Sequence, residues 1–172
     1  MTKLVLPNLK YLPGQIKALK EYARDGRYEL PDLNKIIKLP PKKYISTLRK
    51  QARGIGLPKG YVPQTSYWLI DKDRYVGEIR LKHRLNKQLK KIGGHVGYII
   101  KPKERKRGYG TKILKLAFPK LKKIGIKRAL ITCDKTNIGS RKIIENNGGK
   151  FYREIKIRGR KVPTLQYWVK IN

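Results

Sequence analysis

Cysteine, histidine and acidic residues are the scarce residues of this 172-residue chain. One cysteine, Cys133, excludes an internal disulfide and any all-cysteine metal site, and the two histidines, His83 and His95, add little to a ligand set. No apolar run approaches the roughly 20 residues that a membrane helix needs. The opening MTKLVLPNLKYLPGQ also lacks the apolar core of a secretory signal. The expectation is a soluble cytoplasmic protein without a structural metal and without membrane association. Eleven acidic residues against 44 lysines and arginines leave a net charge of +33. Charge of this size repels itself and attracts polyanions, so salt-sensitive, nonspecific association with nucleic acid is expected whatever the fold. The basic residues are spread along the whole chain, and no helix-turn-helix, zinc-finger or RNP-type aromatic motif stands out.

What is present suffices for one core: 39% hydrophobic residues, concentrated in recognisable segments. The first sixty residues read as helical. Ile16, Leu19 and Ala23 fall at helical spacing between Pro13 and Arg24, and Tyr44, Ile45, Leu48 and Ala52 do so between Pro41 and Arg53. Glycines 54, 56 and 60 then break the chain. From Ser66 the pattern becomes that of strands: SYWLID and YVGEIRLKHRL around a polar turn, then a basic linker from Asn86 to Lys91.

The most informative stretch is GGHVGYIIKPKERKRGYG, Gly93 to Gly110. It reads as a strand from His95 to Ile100, a turn at Pro102, and a basic loop whose Gly108 and Gly110 open a helix running from Thr111 to about Ile124. Glycines between a strand and a helix let a ligand approach the backbone, and the first free helical amides favour an anion there. The pattern is that of a pyrophosphate cradle. Inside the helix, Pro119 removes a backbone hydrogen bond, so a kink or break is expected between Leu116 and Pro119.

This loop resembles the coenzyme A loop of the GNAT superfamily of N-acetyltransferases, whose form is Arg/Gln-x-x-Gly-x-Gly/Ala. Arg105, Gly108 and Gly110 match it, and Ile100 stands where the family's fourth strand ends. Downstream, the strand RALITCD is followed by Asn137-Ile138-Gly139-Ser140, a short helix to about Asn147, and Gly148-Gly149. This is similar to the family's second segment, Asn-x-x-Ala and then Gly-Phe, with Ser140 in place of Ala and Gly149 in place of Phe.

The resemblance implies an α/β (α+β) fold: a mixed, mostly antiparallel sheet of six to seven strands, two central parallel strands splayed apart, and about four flanking helices. It implies one domain over residues 1–172, in which residues 1–60 form an acceptor-side wall and residues 61–172 the sheet with the acetyl-coenzyme A site. Tyr28, Asp32, Tyr61, Pro63 and Gln64 would stand near that wall. In the gap between the splayed strands, Ile99, Ile100 and Lys101 would meet the pantetheine arm through their backbone. Arg105, Lys106, Arg107, Gly108, Tyr109, Gly110 and Thr111 would surround the phosphates, with Lys112 and Arg141 beside them. Asn137 and Ser140 complete the cofactor set.

The implied chemistry is direct attack of an amine on the acetyl thioester. A backbone amide near Ile100 would hold the thioester carbonyl. For the base, Glu78 and His95 both stand on strands of the meander. The proton donor departs from the family pattern: the usual tyrosine, seven residues after the asparagine, is Ile144 here. Tyr98, Tyr152 or water remain for that role, as does weak catalysis. A covalent route through Cys133 is not expected, because a lone cysteine in an apolar strand reads as core. The acceptor is left open, with the cationic surface disfavouring polyamines and basic peptides. The chain reads as a monomer or homodimer, and the rival function is a module that binds RNA or ribosomes through its basic surface.

Overall fold

The structure, a computed structural model, describes residues 1–26, 36 and 38–171. Its strands are β1 (Lys3–Val5), β2 (Gln64–Asp71), β3 (Arg74–Lys82), β4 (Val96–Ile100), β5 (Arg128–Asp134), β6 (Lys150–Ile155) and β7 (Thr164–Lys170). They form one seven-stranded sheet in the order β1-β2-β3-β4-β5-β7-β6. Every neighbouring pair is antiparallel except β4 and β5. The expected α/β fold, with its mixed and mostly antiparallel sheet, is therefore present. β1 corrects the reading of the first sixty residues as helical: three residues are too few for a periodicity to show, and pairing with β2 makes them a strand.

Helices cover both faces. On one face lie α1 (Leu12–Arg24) and α2 (Pro41–Ala52). Leu12, Ala18, Leu19 and Tyr22 of α1 and Tyr44 and Ile45 of α2 pack on Trp68, Ile70 and Tyr75 of the sheet. The basic linker after β3 contains α3 (Lys87–Lys91), opened by the Asn86 side chain, which accepts from Leu89 N at 2.8 Å. On the other face lie α4 (Tyr109–Lys123) and α5 (Ile138–Glu145). Ile113, Leu114, Ala117 and Leu121 of α4 are buried there against Ile79, Val96 and Ile131. α4 runs through Pro119 without interruption, so the expected break does not occur. Pro119 is exposed, where the carbonyl deprived of its donor can be met by water.

Two details of β2 and β3 aim side chains at the site. Their connecting turn has φ of 45° at Lys72 and 60° at Asp73, the two positive values of a hairpin that follows the sheet twist. The Tyr11 hydroxyl donates to Asp73 Oδ1 at 2.6 Å and Lys10 Nζ lies 2.8 Å from Asp73 Oδ2, which holds this conformation. Next to it, Leu69 opposes Gly77 and Ile70 opposes Tyr75, so Val76 is an extra residue in β3. This bulge breaks the alternation. Tyr75 faces α1 and α2 while Val76 joins the opposite core, and Glu78 then returns to the α1–α2 face beside its register partner Trp68.

Candidate active site

The central feature is a gap between two strands. β4 pairs with β3 from Leu81–Val96 to Gly77–Ile100, but its only register pair with β5 is Val96–Ile131. Just ahead of that pair lies a joint. His95 N donates to Leu130 O at 2.7 Å, and Leu130 N donates to His95 Nδ1 at 2.9 Å. Beyond Val96 the two strands part.

Which backbone groups face the gap follows from the alternation of an antiparallel pair. Lys101 N donates to Val76 O at 2.9 Å. Ile99, two residues earlier and opposite Glu78, therefore also turns its amide toward β3. Tyr98 and Ile100 turn theirs toward the gap. Of the three residues expected to meet pantetheine through their backbone, Ile100 keeps that orientation. Ile99 and Lys101 do not, and Tyr98 takes their place. The Lys101 ammonium lies 3.4 Å from Glu21 on α1.

The gap opens onto the loop before α4. A 3-10 turn at Pro102–Glu104 is followed by Arg105, then by Lys106 at φ 58°. Gly108 caps α4 at φ 77° and ψ −5°, a left-handed conformation that favours glycine. A Cβ built on Gly108 would meet nothing within 4 Å, so the space beside it is open. The ladder of α4 begins with Lys112 N donating to Gly108 O at 3.1 Å, which leaves the Tyr109, Gly110 and Thr111 amides unused within the helix. An open space, a left-handed glycine and unspent amides fit a pyrophosphate.

The loop side chains are committed differently from the expectation. Arg105 donates through Nε to Ile100 O at 3.2 Å and through Nη1 to Asp25 Oδ2 at 2.7 Å, so it braces the loop. Arg107 pairs with the buried Glu104, which also meets Arg74 at 3.4 Å. Tyr109 turns its side chain into the core, its hydroxyl donating to Asp71 Oδ2 at 2.9 Å, so only its amide faces the loop. A Cβ on Gly110 would come within 2.3 Å of Ile143 Cδ1, which makes Gly110 the glycine of the α4–α5 contact. Lys106 and Lys112 are exposed and Thr111 is half-buried.

In the second segment, Asn137 caps α5, its Oδ1 accepting from Ser140 N at 3.0 Å. The Ser140 hydroxyl lies 2.7 Å from the Tyr98 hydroxyl, a link from β4 to α5. The Ser140 side chain favours the thiolate of Cys133, but burial dominates and pushes that thiol up to about 11. Ile144, at the position of the family's tyrosine, is fully buried against Gly149.

On the α1–α2 face, Glu78 is 4% exposed and paired with Arg80, two residues along the same strand. Glu78 in turn holds the Arg80 guanidinium charged still more firmly than usual. Nearby, Tyr44 OH accepts from Gln15 Nε2 at 3.0 Å. Its phenol is pushed up to about 12 by burial and, secondarily, by the charge of Glu78. Trp68 Nε1 and Gln15 Oε1 are buried without a partner among the described residues. Arg80, Tyr44 and Gln15 were not anticipated, although an arginine two residues from a strand glutamate signals a pair on one face. Tyr28 and Asp32 lie outside the described residues. Pro63 and Gln64 are half-buried, and Tyr61 is exposed.

His95 stands apart from this face's chemistry. Burial, and then the charge of Lys82, lower its imidazole to about 4, and its Nδ1 is occupied by the Leu130 amide. It serves as a joint between strands, which is a poor setting for a base.

A family model described as an acetyltransferase (GNAT) domain matches residues 29–150. No curated protein matches the chain by sequence. Among solved structures, the ribosomal L7/L12 alpha-N-protein acetyltransferase RimL in complex with coenzyme A is similar at a TM-score of 0.70 and 13% identity, over 99% of this chain and 94% of that one. An acetyltransferase of the GNAT family from Streptococcus pneumoniae is similar at 0.69 and 13% identity, with 100% of both chains covered. YncA from Salmonella typhimurium, with its cofactor acetyl-CoA, is similar at 0.67 and 11% identity, over 99% of this chain and 94% of that one. At such identities these likenesses concern the fold.

Proposed function

Because this chain belongs to the acetyltransferase (GNAT) domain family, we propose that it transfers the acetyl group of acetyl-coenzyme A to a primary amine by direct attack. The observation that carries this reading is the gap itself. β4 and β5 pair only at Val96–Ile131, and the strand that leaves its amides unpaired leads to the open space beside Gly108. Two of the solved structures named above hold coenzyme A or acetyl-CoA.

When bound, the cofactor supplies an activated acetyl thioester; the chain supplies position and proton transfer. The Ile100 amide, aimed into the gap, would hold the thioester carbonyl by donating to it. Glu78 is the base for the incoming ammonium, on the face bounded by α1 and α2. Tyr98 would supply the proton for the coenzyme A thiol from the opposite face, since it opposes Ile79 in register and reaches Ser140. Base and acid thus stand on opposite faces of the paired strands β3 and β4, which border the gap. α1 and α2 supply the acceptor wall, behind which Trp68 Nε1 and Gln15 Oε1 are buried without a partner among the described residues. The named relatives do not fix the acceptor.

Calorimetric titration with acetyl-coenzyme A at near-physiological salt tests the cofactor site, with adenosine 3′,5′-bisphosphate as a charge control. Binding tighter than the control, lost in Gly108→Val, followed by amine-dependent thiol release in an acceptor screen, is the expected outcome. Equal, salt-erased binding of both compounds would overturn the reading.

A further inference from the structure

α1 and α2 pack against one half of the sheet, and the same face continues across β5, β7 and β6. There the register aligns Leu130, Trp168 and Lys150 in one row and sets Arg128 opposite Lys170. The Arg128 guanidinium lies 5.2 Å from the Trp168 ring centre. In β6, Phe151 opposes Tyr167 and Arg153 opposes Gln166, so Tyr152 is an extra residue. This bulge puts Tyr152 and Arg153 on the Trp168 face, where strict alternation would have separated them. The rings of Tyr152 and Trp168 lie 6.4 Å apart, and Arg153 stands 5.0 Å over Tyr152. Tyr152 is 52% exposed.

Beside this aromatic pair runs a groove of about 850 Å³, lined by Lys122, Lys127, Arg128, Lys150 and Lys170 around Trp168, with no acidic residue in its lining among the described residues. It lies at the C-terminal end of α4, whose 15 residues separate it from the Gly108 loop by about 22 Å. The groove therefore belongs to a different end of the molecule from the cofactor loop.

We infer that this face binds single-stranded nucleic acid, with bases stacking on Trp168 and Tyr152 and phosphates following Arg128, Lys150 and Lys170. Charge complementarity selects a polyanion. The two rings select one that presents flat π-faces at successive positions along its backbone, which nucleobases do and acidic side chains do not. The net charge of +33 draws polyanions to the whole surface. The rings and the acid-free groove give the binding a location.

Fluorescence anisotropy with labelled oligouridylate and oligothymidylate of about 12 nucleotides tests this at near-physiological salt. The expected losses in affinity are about 10-fold or more for Lys150→Glu/Lys170→Glu and several-fold for Tyr152→Ala. The control Lys42→Glu/Lys43→Glu makes the same charge change at exposed positions of α2 and should lose little. Bound oligonucleotide should also quench Trp168, since Trp68 is fully buried. Tyr152 is exposed, so Tyr152→Ala carries the stacking test even where Trp168→Ala unfolds the sheet. Preference for oligouridylate over oligothymidylate, or the reverse, names the natural source. Equal losses in both charge-reversal pairs would overturn the inference in favour of global charge. Polyglutamate binding as tight as oligouridylate binding, with Tyr152→Ala inert, would overturn it in favour of an acidic protein. A homodimer that Tyr152→Ala disperses, with no oligonucleotide bound, would overturn it in favour of self-association.

Discussion

Arg105 Nη1 donates to Asp25 Oδ2 across 2.7 Å, tying the loop ahead of α4 to the C-terminal cap of α1. Both side chains are about three-quarters buried, at 25% and 21% exposure, so solvent screens the pair only in part. The same guanidinium holds the Ile100 carbonyl. Arg105 is thus spent on positioning the strand end and the loop, and Asp25→Asn should weaken acetyl-coenzyme A binding several-fold, as should Arg105→Gln. A direct phosphate role for Arg105 gives the opposite sign: Asp25→Asn would free the guanidinium and tighten binding. Calorimetric titration of the two variants decides between them.

Gly108 and Gly110 serve different ends. Gly108 at φ 77° borders open space, so Gly108→Val costs about 1–2 kcal/mol of backbone strain and fills the ligand's place. Cofactor binding should vanish with only a modest fall in melting temperature. Gly110→Val drives a side chain toward Ile143 and should cost about 1–3 kcal/mol of stability. Ile143→Ala should restore part of that loss in the double variant, and it should do nothing for Gly108→Val. Denaturant unfolding with parallel titrations checks both halves.

The strands from β2 onward and the two glycine-bearing turns before α4 and after α5 were legible because apolar alternation and glycine placement are local signals. β2, β3 and β7 carry alternating or continuous apolar patterns, and Gly108 announces its left-handed turn. Three things were not local. Lys3–Val5 is a strand only because β2 accepts it. The fate of Arg105 depends on Asp25, eighty residues away in the chain, and that of Tyr109 on Asp71. The third is Val76, whose insertion changes which side chains share a face with Glu78, something visible only in the register. Pro119 shows the reverse case, for no break occurs there. A propensity penalty of about 3 kcal/mol predicts a break in an isolated helix, but the buried stripe from Ile113 to Leu121 holds α4 together.

His95 makes the fold sensitive to mild acid. Its imidazole titrates near 4 in the folded chain against an ordinary value of 6.5. Between those values the unfolded chain binds the proton more tightly, so stability is full above pH 6.5 and falls as pH drops toward 4. The loss should amount to about 3 kcal/mol. His95→Asn keeps an acceptor in reach of Leu130 N and cannot titrate, so it should flatten this part of the urea-unfolding profile. An unchanged slope in His95→Asn would move the sensitivity to another group.

Cys133 should be chemically quiet. Burial holds its thiol near 11, so little thiolate exists at neutral pH. Cys133→Ala should keep most turnover, and iodoacetamide should label the native chain slowly and the urea-unfolded chain fast. Loss of turnover without unfolding would put the thiol in the reaction.

Tyr98 is the side chain through which the departure at Ile144 can be tested. A tyrosine at 144 has no room, because Ile144 is fully buried and a Cβ on Gly149 would already come within 2.4 Å of its Cγ2. The hydroxyl that does border the gap belongs to Tyr98, 2.7 Å from Ser140 Oγ. Removing a general acid typically costs about 10²-fold or more in rate. Tyr98→Phe should therefore lower kcat by about that factor while leaving acetyl-coenzyme A affinity nearly unchanged, since the amide of residue 98 is retained. The deficit should shrink with an acetyl thioester of a more acidic thiol, which leaves without protonation. A structural role would instead lower kcat equally for both donors and reduce the melting temperature. An unchanged kcat in Tyr98→Phe would give the proton to water.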